Sequence, residues 1–324
     1  MKKYKIVGFP NPSAASYWRI RDPFRYLEKL GHTVGVSEVG ITQDIADEAD
    51  IYVLQGIVDM DGIAMLYEQQ QERGKKIIVD CDDWLEVPED NPHKKEHEIS
   101  KAVEIIKKTM EIADLVTTTN ENLAEKLKEI NPNVRIISNF IDLDRFSGER
   151  FEENSRLKIG WMGSMTHYKD LELVAPAIKQ IMDKYPVDFV MMGDPRLKNL
   201  FPDHSVECQL GVPFEYYPQK LRSLRIDIGI CPLVDSIFNR AKSNIKAMEF
   251  GSLKIPVVAS KVSPYLDLEG VIPLVTEGEW FKALELLILS REYRKDISRS
   301  LSNWTIKHAL HNNYNKWQNA IDSL

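Results

Sequence analysis

Short runs rich in β-branched residues alternate along the chain with longer segments whose apolar positions recur every three or four residues. Tyr4–Phe9, Thr33–Val36, Ile51–Gln55, Lys76–Asp80, Asp114–Thr118 and Val134–Ser138 read as strands. Between them, Tyr17–Leu30, Met60–Arg73, Lys94–Ala113 and Asn120–Ile130 carry a helical period. The alternation restarts at Leu157. Strands are expected at Leu157–Gly163, Val187–Met192, Val206–Leu210, Ile226–Cys231, Ile255–Val258 and Val271–Val275. Helices are expected at Leu171–Tyr185, within Phe214–Leu224, in a segment closing at Gly251, at Glu277–Leu289 and from Arg291 onward. Strands alternating with helices predict parallel sheets covered on both faces. Two such series in 324 residues suit two domains. The expected division is a first domain over 1–142, a polar linker over 143–156 and a second domain over 157–300. The closing helix, 301–324, is expected to pack back on the first domain or to make a homodimer contact.

Composition narrows the class. Hydrophobic content of 43% and charged content of 28% are those of a globular protein, with no run of ~18 apolar residues to form a membrane span. Met1-Lys2-Lys3 leads straight into a strand, so no signal peptide is expected. The three cysteines, Cys81, Cys208 and Cys231, are widely spaced and odd in number, which points to a reducing, cytoplasmic setting. A net charge of −7 disfavours a broad nucleic-acid face.

Candidate chemistry collects at the carboxyl ends of the strands, where ligands of open α/β sheets bind. No G-x-G-x-x-G follows the first strand, which counts against a dinucleotide enzyme. Instead Ser16-Tyr17-Trp18-Arg19 opens the first helix, with Arg19 a candidate phosphate ligand and Trp18 a packing or stacking residue. Asp80, Asp82 and Asp83 crowd the end of the fourth strand just before Trp84, which is costly unless a ligand or donor array uses them. His93 and His97 stand four apart but lack a third metal ligand at convincing spacing. In the second half, Gly163 admits close backbone approach, and Ser164, Thr166, His167 and Lys169 supply donors. Gly193 and Asp194 end the next strand. Further on, Lys242 precedes a helix start at which Ser243 is the expected N-cap, with the Ser243 and Asn244 amides turned outward as an anion site. Glu249, two turns beyond Lys242, falls on about the same face, and Gly251 is placed as the C′ residue.

The Phe238–Ser260 run resembles the donor-site signature of GT-B glycosyltransferases, in particular glycosyltransferase family 4. Glu249 matches the acidic residue on its short helix, and Ile255–Ser260 its P-V-V-A-S/T strand; Ala241 stands where a second Glu is usual. Leu30–Val34 resembles the G-H-x-V that ends the first helix, and Asn139–Asp142 the turn that leaves the first domain. The loop after Ile159 is similar to G-R-x-x-x-x-K-G, with Ser164 at the Arg position and Asp170 replacing the second Gly. Its G-S-x-T-H-x-x-D form and the D-x-D-D loop together resemble one subgroup.

The resemblance implies an α/β GT-B fold, two Rossmann-like domains facing across a cleft. It implies a retaining glycosyltransferase moving a sugar from a UDP- or GDP-sugar to an acceptor hydroxyl, without cofactor or metal. Lys169, Lys242, Glu249, Asp82 and Asp83 become candidate catalytic residues. Gly163, Ser164, Thr166, His167, Gly193, Asp194, Tyr216, Tyr217, Ser243 and Asn244 become donor-binding candidates, and Trp18, Arg19, Asp80 and Trp84 line the acceptor side. The acceptor stays open among saccharide, lipid-linked sugar, protein and modified DNA. Alternatives are a phage-type DNA glycosyltransferase acting on hydroxymethylated bases and a non-catalytic sugar-nucleotide binder.

Overall fold

The computed structural model describes residues 2–57, 59–86, 101–146 and 152–324. It divides into two compact units: Met1–Asp142 with Ala241–Ser243 and Leu310–Leu324, and Leu143–Arg240 with Asn244–Ala309. His93, His97 and the start of the helix expected from Lys94 lie outside the described residues.

In the N-terminal unit the strands are β1 (Lys5–Phe9), β2 (Thr33–Val36), β3 (Ile51–Gln55), β4 (Lys76–Cys81), β5 (Leu115–Thr118) and β6 (Val134–Ile136). They form one parallel sheet in the order β2-β1-β3-β4-β5-β6. Alternate residues feed opposite faces, as the two-residue repeat of a strand requires. Tyr52, Leu54, Ile77 and Val79 pack with Leu66, Met110 and Leu123 on one side. Ile51, Val53 and Ile78 pack with Phe24, Leu27, Trp317 and Ile321 on the other. The last helices, Leu310–Asn313 and Asn315–Ile321, therefore complete this unit's core.

The C-terminal unit holds β7 (Leu157–Gly163), β8 (Val187–Gly193), β9 (Glu207–Leu210), β10 (Ile228–Cys231), β11 (Val257–Ser260) and β12 (Leu274–Val275). This sheet is also parallel, in the order β12-β11-β10-β7-β8-β9. Chain direction across the sheet reverses between β7 and β10, the switch point at which the strand-end loops diverge and leave a crevice. The core joins Ile159, Trp161, Phe189 and Ile230 to Leu171, Val174 and Ile178 of the helix Tyr168–Lys184 and to Trp280 and Leu284.

Several local expectations give way to packing. The first helix is not one cylinder: a π-turn over Tyr17–Arg21 leads into the α-helix Asp22–Lys29, at the point where Pro23 offers no N–H to the ladder. Gly251 is no C′ residue but lies inside the helix Ile245–Ser252. A Cβ there would stand 2.3 Å from Thr305 Oγ1 and 2.9 Å from Leu301 Cγ, so the glycine admits the neighbouring helix Arg291–Lys307. The left-handed residue after the helix is Lys254, φ 58°. Ser243 is not the N-cap; Asn244 is, without a side-chain cap bond, and the Ser243 hydroxyl accepts instead from Asn139 Nδ2 at 2.9 Å.

Candidate active site

In the N-terminal unit, β4 delivers Asp80 into the interior and its following turn carries Asp82 and Asp83 outward. Asp80 is buried and paired with Arg19, whose Nη2 lies 2.6 Å from Oδ1 and whose Nε donates to both carboxylate oxygens. Thr117 of β5 adds a hydroxyl at 2.6 Å. The same guanidinium donates to the Ile137 carbonyl and to Asn139 Oδ1. Arg19 and Asp80 thus meet each other in the interior, and Trp18 is buried as well.

Asp82 is partly buried, and Gln55 at the end of β3 donates to its Oδ1 at 3.2 Å. Burial, with the charges of Asp80 and Asp83 adding to it, pushes its pKa up to about 6. Asp83 is largely exposed and meets Lys242 Nζ, 3.3 Å from each oxygen. Trp84 is partly buried against the core and donates its backbone N–H to Asp83. Lys242 arrives here because Ala241–Ser243 belongs to this unit: Ala241 is buried in its core, and Asn120 Nδ2 donates to the Ala241 and Lys242 carbonyls at 2.6 and 3.0 Å.

In the C-terminal unit, Gly163 and Gly193 end neighbouring strands in register. Gly193 has φ +151°, and a Cβ there would sit 1.9 Å from the Gly163 carbonyl oxygen, so only glycine fits. Past Gly163, Ser164 and Thr166 hydroxyls are 2.6 Å apart and His167 Nδ1 is 2.7 Å from Asp170 Oδ2. Lys169 occupies the first turn of the helix Tyr168–Lys184. Asp194 is claimed by Arg196, which holds its carboxyl down at about 2 through hydrogen bonds and charge.

Glu249 is 4% exposed and accepts from the Tyr217 hydroxyl at 2.7 Å. Burial raises its pKa to about 7 against the opposing pull of Tyr217 and Lys246. The Tyr217 ring stacks on Phe214 and meets Phe146 edge-on. Tyr216 is the exposed member of the pair.

The structure therefore brings His167 together with Asp170, Glu249 with Tyr217, and Lys242 with Asp83. It does not join Ser243 to the helix cap, or Arg19 to an open crevice. Gln55, Asp170 and Asn239 were not among the expected site residues. For Asp170 a local signal existed: it follows His167 by three residues at a helix start, a spacing that brings two side chains together.

Among the described residues no cluster of histidine, cysteine and carboxylate side chains is placed to hold a metal ion, and no helix is long and apolar enough to cross a membrane. No protein-family model matches the chain, and no curated protein matches it. Solved structures do match. A sucrose-phosphate synthase from Thermosynechococcus elongatus superposes with a TM-score of 0.72 at 12% identity over 99% of both chains. A glycosyltransferase from Rickettsia africae gives 0.70 at 14% identity over 98% of each chain. An alpha-glucosyltransferase in complex with UDP and a DNA 13-mer gives 0.70 at 11% identity, covering 99% of this chain and 100% of that one. The chain has the GT-B-like fold of these proteins, built from two Rossmann-like α/β units.

Proposed function

We propose that this protein is a glycosyltransferase that moves a sugar from a nucleoside-diphosphate sugar, UDP- or GDP-linked, to an acceptor hydroxyl with retention of configuration. The observation that carries the reading is the strand-end cluster of the C-terminal unit. At the end of β7, the strand that borders the switch point, Gly163 lies in register with Gly193 of β8 and is followed by hydroxyl and imidazole side chains, and the unit also holds a buried carboxylate poised near neutrality. Donor binding is assigned to this unit, through Gly163, Ser164, Thr166, His167, Gly193 and Asn244, with Glu249 on a neutral polar part of the donor. Acceptor binding is assigned to Asp82, Asp83 and Trp84. Lys169 supplies positive charge to the leaving diphosphate, the contribution expected to dominate such a reaction, and Lys242, beside Asp83, is the candidate catalytic cation of the N-terminal unit, so no metal is invoked. The departing phosphate takes the acceptor proton; Asp82 or Asp83 is the candidate if a protein base acts.

Likeness in fold to a glucosyltransferase solved with UDP and DNA supports keeping hydroxymethylated DNA among the acceptors, beside saccharides, lipid-linked sugars and proteins. A reducing, cytoplasmic setting accords with three free thiols. The test is a mass-spectrometric screen of nucleotide sugars against these acceptor classes. Transfer, or slow donor hydrolysis without acceptor, is expected. Saturable donor binding with neither reaction would leave a sugar-nucleotide binder, and no binding would overturn the reading.

A further inference from the structure

Val134-Arg135-Ile136 is a β-branched pair split by a cation, and as β6 it is the last strand of the N-terminal sheet. Among the described residues it pairs with β5 alone. The register decides which backbone groups that pairing uses. The Val116 N–H of β5 donates to the Asn133 carbonyl at 2.9 Å, and the Ile137 N–H donates to the Thr118 carbonyl at 2.7 Å. Alternate residues thus face β5, so the N–H and C=O groups of Val134 and Ile136 point to the open edge. Arg135 and Ile136 are exposed, and Val134 is half-buried.

Two helices wall that edge. Glu121–Leu127 packs on one face of the sheet through Leu123 and Leu127, and Asn315–Ile321 packs on the other through Trp317 and Ile321. With the strand they line a groove of about 360 Å³, to which the first helix end brings Ala124 and Lys128 and the second helix Lys316. Among the described residues no carboxylate lines it, in a chain whose net charge is −7. Arg135 leans to the second helix, giving one of its five N–H groups to the Asn319 carbonyl at 3.0 Å. Lys128 lies 3.5 Å from Glu121, both side chains well exposed, a pairing weak enough to give way. A cation that only keeps other strands away sits on the edge strand itself, as Arg135 does. Lys128 and Lys316 come from the flanking helices, and they make the edge selective by charge.

We propose that the β6 edge is a docking site for an extended, acidic peptide segment of a partner protein, which adds a strand to the N-terminal sheet. Main-chain hydrogen bonds to Val134 and Ile136 hold such a segment, and the three cations choose it. β6 spans roughly 10 Å, enough to pair three or four residues. Successive side chains of an added strand point to opposite faces, so neighbouring carboxylates reach Lys128 on one wall and Arg135 and Lys316 on the other. An edge that offers N–H and C=O groups in turn matches a peptide backbone, whereas a phosphate chain can use its N–H groups alone. The proposal is independent of the nucleotide-sugar reading.

The experiment titrates the full chain with a fluorescein-labelled hexapeptide of four glutamates between two valines. Its controls are the lysine counterpart, a copy N-methylated at all four glutamates, and an oligothymidylate. Saturable binding of the acidic peptide is expected, with slowed amide hydrogen exchange at Val134 and Ile136. The lysine and N-methylated peptides should bind at least about tenfold more weakly, and the exposed-site changes Arg135→Glu and Lys316→Glu should each weaken the acidic peptide about tenfold. An N-methylated peptide that binds as tightly, or edge amides left unprotected, would mean attraction by charge alone and overturn the proposal. Oligothymidylate bound in place of the peptide would show a phosphate-binding surface and overturn it too, as would no binding of any probe.

Discussion

In the N-terminal unit two of the three strand-end carboxylates meet cations: Asp80 is sealed against Arg19 and Asp83 sits half in solvent against Lys242, while Asp82 accepts from Gln55. The C-terminal unit handles its buried carboxylates with neutral donors: Glu249 leans on a tyrosine hydroxyl, Asp170 on a backbone N–H, an amide and an imidazole. The two treatments have different consequences. A buried ion pair holds its charges fixed and tolerates no loss of one partner. A carboxylate given a hydroxyl in place of a cation keeps its desolvation penalty, and its proton comes off near neutral pH. Like strand-end elements of one fold thus hold either a fixed ion pair, as at Asp80, or a titratable carboxylate, as at Asp82 and Glu249.

Arg19→Met should break the first treatment most severely. It strands the Asp80 charge in the core, and chemical denaturation should show a loss of about 3–5 kcal/mol; a loss under about 1 kcal/mol would mean that Asp80 is not charged there. Lys242→Ala separates the exposed ion pair from the sealed one. Stability should fall by no more than about 1 kcal/mol. Turnover with a competent donor should drop by about 2–4 kcal/mol of transition-state stabilisation. Unchanged kinetics would remove Lys242 from the reaction.

Glu249→Gln probes the second treatment through pH. The folded pKa of about 7 lies above the ordinary 4.5, so between those values the folded chain holds more protons than the unfolded one. Wild-type stability from this group therefore falls as pH rises through that window and is lowest above it. Gln keeps an acceptor for Tyr217 and carries no charge, so the variant's advantage over wild type should grow from about pH 5 to about pH 8, toward roughly 2–3 kcal/mol. Thermal melts at both pH values would read it, and a constant difference would contradict the raised pKa. A smaller effect belongs to Gly251→Ala: crowding Thr305 and Leu301 should cost about 1–3 kcal/mol in the same melts, whatever the pH. A neutral outcome would show that the neighbouring helix can shift.

Local signals carried most of the architecture. The helix Met60–Arg73 begins after Asp59, whose side chain accepts from the Gly62 N–H, and stops at Gly74 with φ 66°. Both signals are written beside the element they bound. The Val/Ile strand runs were equally legible, because strands buried on both faces are apolar throughout. Gly251 looked like the same kind of stop signal as Gly74, yet its cause is Thr305, far along the chain. Arg19 found Asp80 sixty-one residues away, and the Ser243 hydroxyl was taken by Asn139, one hundred and four residues away. Side chains at strand ends were thus visible as candidates, but which of them would be spent on one another depended on contacts that no local pattern encodes.

The division of labour between the two sheets is tested most directly by titrating UDP and GDP into the Asp82→Asn/Asp83→Asn double variant of the full chain, with transfer assayed in parallel. The donor assignment to the strand ends of the C-terminal unit predicts nucleotide affinity within about threefold of wild type, since both altered carboxylates belong to the N-terminal unit, while transfer to the acceptor collapses. Loss of nucleotide binding in a variant that remains folded would contradict the assignment and move the donor to the N-terminal unit.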